Sequence, residues 1–371
     1  MSNKTIKHTK KIKLFFFHPH SKIGGVDLSL SRLIAYLQKQ KVFDITFISL
    51  NSSIINKYLN KKVNLILFKC SRTLFSFFLI KKIFLRHDFS NYKKTIFVSN
   101  QNYANVISIL ALNKFHNLKK IAIERTPLYE LDTYENLTKF IKSKIIKLMI
   151  KLYYKKFDQI ICISENIKKS FQKFTKKNII KIYNPSFNGF YNRKKIKTSN
   201  VPIVLTVGRL EKSKDQLTIL KAANLIKKII NFKLIIIGFG SQEKKLKKYI
   251  IQNNLKNVVK IIQTNNINSY YRKADLFVLS SKYEGFGNVI IEASSFGLPV
   301  ISSKCGGPEE ILKNGKYGEL FSATDFLVLS KKILKVLNNK NKNNKILPLK
   351  QLQKYSLTNS NNRYEKIFKN I

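Results

Sequence analysis

Residues 283–300 read YEGFGNVIIEASSFGLPV, and they carry the pattern of one strand–helix–strand unit. An apolar run at 275–280, DLFVLS, precedes a glycine-rich turn, and VIIEASSF then has the length and composition of a buried helix. Gly297 ends that helix, and Pro299 lies at the start of the next apolar run. Apolar runs that do not alternate with polar residues are typical of strands buried on both faces. The stretch therefore predicts two parallel strands joined by a helix.

The same alternation of apolar runs and helical segments extends over the whole chain. Further runs of this kind are KLFFF (13–17), FDITFIS (43–49), VNLILF (63–68), KTIFVS (94–99), KIAIE (120–124), QIICIS (159–164), PIVLTVG (202–208), FKLIIIG (232–238), NVVKII (257–262) and LPVIS (298–302). The alternation stops at 183–200, a polar segment with Pro185 and Gly189, and it restarts at Pro202. These patterns predict an α/β fold of two Rossmann-like, doubly wound parallel-sheet domains that face each other across a cleft.

We expect the domain boundaries to follow the break in this pattern. The predicted segments are an N-terminal domain at 1–185, a linker at 186–200, a C-terminal domain at 201–350 and a C-terminal helix at 351–371 that packs back toward the N-terminal domain.

The composition is strongly basic. The 371 residues include 70 Lys and Arg against 20 Asp and Glu, a formal net charge of +50. Such a field attracts polyanions and anionic membrane surfaces, although an AT-rich coding sequence would also enrich lysine. Three distant cysteines favour a reducing cytoplasm, and no run reaches the roughly 18–20 apolar residues that span a bilayer. We expect a cytoplasmic protein that is peripheral on the inner face of the cytoplasmic membrane.

One basic segment stands out from this background. Residues 139–156, KFIKSKIIKLMIKLYYKK, contain seven lysines and no acidic residue, and Ile141, Ile145, Leu148 and Leu152 could share one stripe of a helix. Two interpretations remain open. The segment is either an ordinary domain helix with a lysine-rich outer face or an interfacial helix drawn to anionic lipid. In the second case FSFFLIKKIFLR at 75–86 would contribute to the same surface.

Two glutamates flank the glycine-rich turn. Glu284 lies on the loop, and Glu292 lies about one turn inside the helix that follows. The first N–H groups of a helix have no internal partner and, with the helix dipole, form an anion site. Carboxylates on either side of that site can accept hydrogen bonds from hydroxyl groups. The arrangement suits a ligand with an anionic middle and hydroxylated ends, such as a nucleotide-diphosphate-sugar.

Several stretches resemble one enzyme family in order and spacing. EGFGNVIIEASSFGLPVI resembles the E-x7-E segment of the retaining glycosyltransferases of family 4, which have the GT-B architecture of two Rossmann-like domains. VGRLEKSKDQLTILKAA at 207–223 is similar to the Gly-Arg-x4-Lys segment of that family, and GGVDLSLSRLIAYL resembles its glycine-rich first turn. The resemblance covers nearly the whole chain and is more specific in the second half.

The resemblance implies roles for individual residues. Arg209 and Lys214 would neutralise the donor diphosphate, Glu292 would bind the ribose hydroxyls, and Glu284 would hold the transferred sugar. The other donor-binding positions that it implies are Gly24, Gly25, Gly208, Val289 and, through their backbone groups, Phe286, Gly287 and Asn288. The family uses no catalytic metal and needs no other cofactor than the nucleotide-sugar co-substrate.

The chain departs from the family pattern at three places. Asp27 stands where a glutamate is common, and IIQTNN lacks a usual glycine near 262–264, which leaves the donor base pocket open. Where the family often has a histidine after the fifth strand, this chain reads IERTP, which leaves Glu124 and Arg125 as candidate catalytic groups. His18 either faces the cleft or merely flanks Pro19.

Taken with the family, these residues predict an enzyme, a retaining hexosyltransferase. It would move a sugar from a nucleotide-diphosphate-sugar, with a UDP-sugar as the expected donor, to a cell-surface glycan or a lipid-linked saccharide, as in polysaccharide or lipopolysaccharide biosynthesis. Two alternatives remain. The charge and the 12% aromatic content would fit a nucleic-acid-binding protein, but no basic-aromatic platform motif is present, so nucleic acid is not an expected partner. An inactive GT-B scaffold would keep the same fold.

Overall fold

The computed structural model describes residues 10–20, 25–50, 63–70, 72–132, 136–189, 201–338 and 344–371. The chain divides into two compact units. The first comprises Met1–Pro185 together with Leu357–Ile371, and the second comprises Ser186–Ser356.

The strands of the described residues form two sheets. They are β1 (Ile12–Phe17), β2 (Phe43–Leu50), β3 (Asn64–Phe68), β4 (Lys94–Asn100), β5 (Leu118–Glu124), β6 (Gln159–Cys162), β7 (Ile179–Lys181), β8 (Ile203–Val207), β9 (Lys233–Ile237), β10 (Val259–Ile262), β11 (Leu276–Leu279), β12 (Val300–Ser303) and β13 (Glu319–Phe321).

The helices of the described residues lie between and after these strands. They are α1 (Gly25–Lys39), α2 (Ser76–Leu85), α3 (Asn102–Leu112), α4 (Leu137–Tyr153), α5 (Glu165–Gln172), α6 (Gln216–Ile226), α7 (Glu243–Gln252), α8 (Ile267–Lys273), α9 (Asn288–Ser295), α10 (Gly307–Ile311), α11 (Phe326–Asn338), α12 (Leu349–Leu352) and α13 (Leu357–Asn370). No helix within the described ranges is both long and apolar enough to cross a membrane.

The first unit is built on a seven-stranded sheet whose order is β3-β2-β1-β4-β5-β6-β7. Every strand pair in it is parallel. All six residues of β1 are buried, because β1 is a central strand that pairs with β2 on one side and β4 on the other. From β1 the chain adds strands toward one edge of the sheet, and from β4 it adds them toward the other edge. Doubly wound folds bind ligands at the point where this progression reverses.

Helices cover both faces of this sheet. The crossovers from β3 to β6 run in one direction along the sheet, so right-handed connections place α2, α3 and α4 on the same face. On that face α2 packs against α3, and α3 packs against α4. The other face carries α1, which packs against the terminal helix α13.

The terminal helix is part of the first unit. The hydroxyl of Tyr36 on α1 donates to Glu365 Oε2 at 2.5 Å and to Asn362 Oδ1 at 2.8 Å, both on α13. The ring of Phe368 lies edge-on to that of Phe16, with 6.0 Å between the centroids. Apolar packing and hydrogen bonds together hold α13 to the sheet.

The second unit is built on a six-stranded parallel sheet whose order is β10-β9-β8-β11-β12-β13. The order in which the chain adds strands reverses between β8 and β11, where Leu276 pairs with Val204 and Phe277 with Leu205. The core includes Leu234 and Ile236 of β9 and Val278 of β11, all essentially inaccessible to solvent. The predicted α/β fold with two parallel sheets is confirmed.

Candidate active site

The residues predicted to bind a donor in the second unit lie at the reversal of its sheet. Gly208 and Arg209 directly follow β8, and Glu284 lies on the loop between β11 and α9. The carboxyl ends of adjacent parallel strands meet at one edge of a sheet, and a reversal there opens a crevice between the two loops. The topology therefore brings these two sequence-distant loops side by side.

The loop after β8 is fixed by a close approach to β9. The N–H of Gly208 donates to the carbonyl of Ile237 at 3.0 Å. A Cβ atom added at Gly238 would lie 1.9 Å from the carbonyl oxygen of Gly208, so a side chain there would clash with main chain. Gln216 Nε2 donates to the carbonyl of Arg209 at 2.9 Å. Arg209 thus has a fixed main chain, whereas its exposed guanidinium has no partner among the described residues.

Lys214 and Glu284 form a salt bridge between the two loops. Lys214 Nζ contacts Glu284 Oε2, and the two side chains are 20% and 18% exposed. Ser281 Oγ donates to the same carboxylate oxygen at 3.3 Å. Ser280 Oγ donates to the carbonyl of Lys214 at 3.0 Å, which ties the main chain of one loop to the other. The pair is half-buried, so a ligand can reach charges that the protein already holds in place.

The main chain at Glu284 is held to the loop after β12. Its N–H donates to the carbonyl of Cys305 at 2.9 Å, and its carbonyl accepts from Gly307 at 3.0 Å. A Cβ atom at Gly307 would lie 2.2 Å from the carbonyl oxygen of Phe286, so only glycine fits this approach. Burial raises the pKa of the Cys305 thiol to about 12, which keeps the thiol protonated and unreactive at neutral pH.

Helix α9 begins where the glycine-rich turn ends. Gly287 has φ +101°, a left-handed conformation that strains any other residue, and its carbonyl accepts from Ile290 at 2.9 Å. The N–H of Val289, in the first turn of α9, has no partner among the described residues. This end of α9 can therefore offer a main-chain donor and the positive end of the helix dipole to an anion.

Phe286 and Asn288, whose main-chain groups the resemblance implies in donor binding, have side chains that contact protein. Phe286 is 2% exposed, and its ring lies edge-on to that of Tyr355 with 5.6 Å between the centroids. Asn288 Oδ1 accepts from Ser186 Oγ at 2.7 Å. At these two positions the side chains support the turn, so the main chain is the part that could contact a ligand.

Glu292 lies one turn inside α9 and has a partner that the sequence did not reveal. The hydroxyl of Tyr271 on α8 donates to Glu292 Oε2 at 3.2 Å. Tyr271 is buried and stacks on Phe296, with 5.3 Å between ring centroids. Burial, and then the nearby Glu292 carboxylate, raise the pKa of Tyr271 well above its usual range, so the hydroxyl keeps its proton. The double tyrosine in YYRKAD is visible in the sequence, but nothing there pairs it with Glu292.

In the first unit the candidate Glu124 is fully buried. Its Oε1 atom accepts from Tyr154 Oη at 2.5 Å and from Asn105 Nδ2 at 2.6 Å. Burial raises the pKa of Glu124 to about 8, although both hydrogen bonds act in the opposite direction. The carboxyl group has no accessible surface. This placement does not favour direct contact with a substrate.

Arg125, the other candidate after β5, is also buried. Its guanidinium donates to Asn100 Oδ1 at 3.1 and 3.2 Å, to Ser29 Oγ at 2.9 Å and to Asn184 Oδ1 at 2.9 Å. Burial lowers the pKa of Arg125 from its usual value. The side chain joins the end of β4, helix α1 and the segment after β7.

The end of β1 carries a second buried polar pair. His18 Nε2 lies 3.3 Å from Asp27 Oδ1, and both side chains are at most 5% exposed. Gly25 is the exposed first residue of α1, and Gly24 lies outside the described residues. The sequence did not indicate that His18 and Asp27 would meet.

One family model matches the second half of the chain. Residues 190–348 match the family described as glycosyl transferases group 1. The uncharacterized glycosyltransferase MJ1059 of Methanocaldococcus jannaschii is 32% identical over 60% of this chain, and the match spans 58% of that relative, less than two thirds of its length.

A second relative and a solved structure extend the similarity over most of the chain. The capsular polysaccharide biosynthesis glycosyltransferase CapM of Staphylococcus aureus is 27% identical over 82% of this chain and 83% of its own. The crystal structure of HepE from Anabaena, in complex with UDP and glucose, has a TM-score of 0.78 at 18% identity and covers 97% of this chain and 100% of its own. At that identity the likeness establishes the fold alone.

Proposed function

We propose that this chain, whose residues 190–348 match the glycosyl transferases group 1 family, transfers a sugar, with retained configuration, from a nucleotide-diphosphate-sugar to a cell-surface glycan or a lipid-linked saccharide. The observation that carries the proposal is the Lys214–Glu284 pair at the reversal of the second sheet. A lysine and a glutamate held together there can contact the anionic and the hydroxylated parts of one donor.

The cations of the second unit act on the leaving group. When the bond between the anomeric carbon and the diphosphate oxygen breaks, the electron pair leaves with the diphosphate. Arg209 and Lys214 stabilise the charge that grows there, because fixed cations act best on charge that develops in the transition state. The first N–H groups of α9 act in the same sense.

The two carboxylates bind the hydroxylated ends of the donor. Glu284 accepts hydrogen bonds from the transferred sugar, and its main-chain bonds to Cys305 and Gly307 keep it in place. Glu292, held by Tyr271, accepts from the ribose hydroxyls. Gly208 and Gly287 let the main chain approach the phosphates. The second unit is thus the donor-binding domain, and the first is the acceptor-side domain.

The choice of donor and acceptor is supported by relatives. HepE holds UDP and glucose in its crystal structure, which supports a UDP-sugar as the donor. CapM is named for capsular polysaccharide biosynthesis, which supports a cell-surface glycan as the acceptor. A lipid-linked acceptor would place the enzyme on the inner face of the cytoplasmic membrane.

Glu124 does not take part in this scheme as a direct contact. Its buried carboxyl group supports β5 from inside the first unit through Tyr154 and Asn105. We assign it a structural role, and the predicted catalytic role at this position stays untested.

The test uses the full-length protein and a panel of nucleotide-sugars. Mass spectrometry follows release of the nucleoside diphosphate and transfer to saccharide acceptors, and thermal unfolding measures donor binding. We expect one donor to raise the melting temperature beyond the effect of salt at equal ionic strength. Lys214→Ala and Glu284→Ala should abolish transfer while the protein stays folded.

A matched control comes from the same unit. Lys332 and Glu319 form a salt bridge of 2.7 Å with side chains 26% and 21% exposed, much like the pair at the site. Lys332→Ala should leave transfer unchanged. Full activity in the Glu284→Ala protein, or no donor that stabilises the wild type, would contradict the proposal. A stabilising effect of nucleic acid but of no nucleotide-sugar would favour the nucleic-acid-binding alternative.

A further inference from the structure

Helix α4 has a second apolar face that points away from the protein. Leu137, Ile141, Ile145, Leu148 and Leu152 are 70%, 49%, 53%, 52% and 47% exposed. At about 100° per residue they fall within an arc of about 80° on the helix surface. We call these five residues the outer stripe of α4. A continuous exposed stripe of this length differs from the scattered apolar residues of ordinary protein surfaces.

The inward face of α4 is buried against the rest of the first unit. Ser143, Ile146 and Ile150 are buried, and they lie on the opposite side of the helix from the outer stripe. Helix α4 packs against α3 through its inward side. The outer stripe therefore does not contribute to the core that holds α4 in place.

Lysines border the outer stripe on both sides. In helical projection Lys142 lies on one edge, and Lys144 and Lys151 lie on the other. The segment 136–156 contains no acidic residue, and Lys147 reaches Asp132, on the preceding turn, at 2.5 Å. An apolar strip with cationic borders is the arrangement that matches an anionic bilayer surface, since apolar side chains enter the acyl boundary while lysines meet the headgroups.

Helix α2 and the turn before it repeat this chemistry on the same face of the sheet. Phe78 and Leu85 are 71% and 68% exposed and lie seven residues apart, on one side of α2. Phe75 is 52% exposed in the preceding turn. Lys81 and Lys82 are exposed beside them. With α3 between α2 and α4, both exposed faces belong to one layer of the first unit.

We propose that the first unit docks on an anionic lipid bilayer through the outer stripe of α4, with the exposed face of α2 as a second contact. Lipid is the occupant that these observations favour, because the apolar centre and the basic border match the two layers of a bilayer surface. The inference is independent of the donor site and specifies how the proposed enzyme reaches a lipid-linked acceptor.

The experiment measures lipid binding and not sugar transfer. Full-length protein is mixed with vesicles of phosphatidylglycerol and phosphatidylcholine, or of phosphatidylcholine alone, and bound protein is separated by flotation. The net charge of +50 alone attracts the protein to anionic vesicles, so binding is also measured in high salt, which screens that attraction. The double variant Ile145→Glu, Leu148→Glu should lower the salt-resistant binding at least about tenfold, since two apolar side chains no longer enter the lipid.

A matched control tests whether any loss of exposed apolar residues has this effect. Ile251 and Leu327 lie on helices of the second unit and are 56% and 55% exposed. Ile251→Glu, Leu327→Glu adds the same charge and should bind vesicles like the wild type. Equal loss of binding in both double variants would overturn the proposal.

Insertion itself can be measured because the chain contains no tryptophan. Leu148→Trp should shift its fluorescence to the blue and be quenched by brominated lipid in anionic vesicles, whereas Ile251→Trp should show neither effect. No change at position 148 while the protein binds would overturn the proposal. A second outcome would also overturn it: the wild type sediments as a dimer without lipid, and Ile145→Glu, Leu148→Glu makes it a monomer. The outer stripe would then be an interface between copies of this chain.

Discussion

The two units differ in the polar residues that lie where the strand order of each sheet reverses. In the first unit the polar residues at the strand ends are buried and bonded to each other, as Arg125 is to Asn100. In the second unit Arg209 is exposed, and the side chains of the Lys214–Glu284 pair are partly accessible to solvent. The same topology therefore supports an interlocked polar cluster in one unit and a ligand-accessible charged site in the other.

The difference follows from what surrounds each strand end. Arg125 lies among helix α1, the end of β4 and the segment after β7, which together remove it from water. Arg209 lies on a loop whose main chain is fixed by Gly238 and Gln216, so its side chain is not needed to hold the fold together. We conclude that buried cations stabilise the first unit and exposed ones are available for chemistry in the second.

The strongest test of this contrast removes one arginine from each unit. Arg209→Ala should lower kcat about 100- to 1,000-fold with an unchanged melting temperature, because in the proposed function Arg209 acts on the charge that develops on the leaving diphosphate. Arg125→Met should instead lower the free energy of unfolding by about 2–4 kcal/mol, since it leaves three buried acceptors without their donor.

Steady-state kinetics and urea unfolding measure the two effects. A second variant, Arg125→Lys, retains a cation but not the planar set of donors, and it should recover only part of the lost stability. Loss of stability in Arg209→Ala, or loss of kcat alone in Arg125→Met, would contradict the assignment of a stabilising role to Arg125 and a role in transfer to Arg209.

The second test concerns the buried carboxyl group of the first unit. The pKa of Glu124 is about 8 in the folded protein, against 4.5 as its ordinary value, so the folded state binds the proton more tightly. Between these values the unfolded state binds fewer protons, and stability falls as the pH rises. Glu124→Gln removes this proton equilibrium. The wild type should therefore lose stability relative to the variant by up to about 1.4 kcal/mol per pH unit in that window.

Urea unfolding of both proteins across the window measures this difference. A parallel pH dependence in the two proteins would show that the buried carboxyl group does not titrate there. Transfer assays on the same variant test its predicted catalytic role. If Glu124 acts only as a structural residue, kcat at a pH below 8 should change little.

The smallest expected effect concerns the partner of Glu292. Tyr271→Phe keeps the stacked ring and removes one hydrogen bond, a loss of about 0.5–1.5 kcal/mol. We expect a rise of up to about tenfold in KM for the donor with little change in kcat, because the proposed function places Glu292 at the ribose and not at the reacting centre. An unchanged KM with a lower melting temperature would make Tyr271 a core residue only.

The sequence was sufficient for the fold and for the local placement of the candidate site residues in the second unit. Continuous apolar runs indicated strands buried on both faces in parallel sheets. Residues 190–348 match the glycosyl transferases group 1 family, in line with the resemblance that the sequence indicated. The spacing of Glu284 and Glu292 also placed one residue on the loop and the other inside α9, as the structure has them.

Tertiary structure alone decided which polar groups are buried and which partners they have. Glu124 and Arg125 are neighbours at the end of an apolar strand, and nothing local distinguishes a residue that faces a ligand from one enclosed by Ser29 of α1, Asn105 of α3 and Tyr154. Tyr271 meets Glu292 across 21 residues because α8 and α9 pack on the same sheet. Such contacts depend on long-range packing, which no local pattern specifies.

Helix α4 separates most clearly what the sequence determined from what only the tertiary structure decided. Its sequence determined two apolar stripes and their angular separation, because side-chain positions around a helix follow from its period. The period does not fix how the helix is rotated about its axis. Packing against α3 set that rotation, turned Ile146 and Ile150 inward, and left the outer stripe exposed.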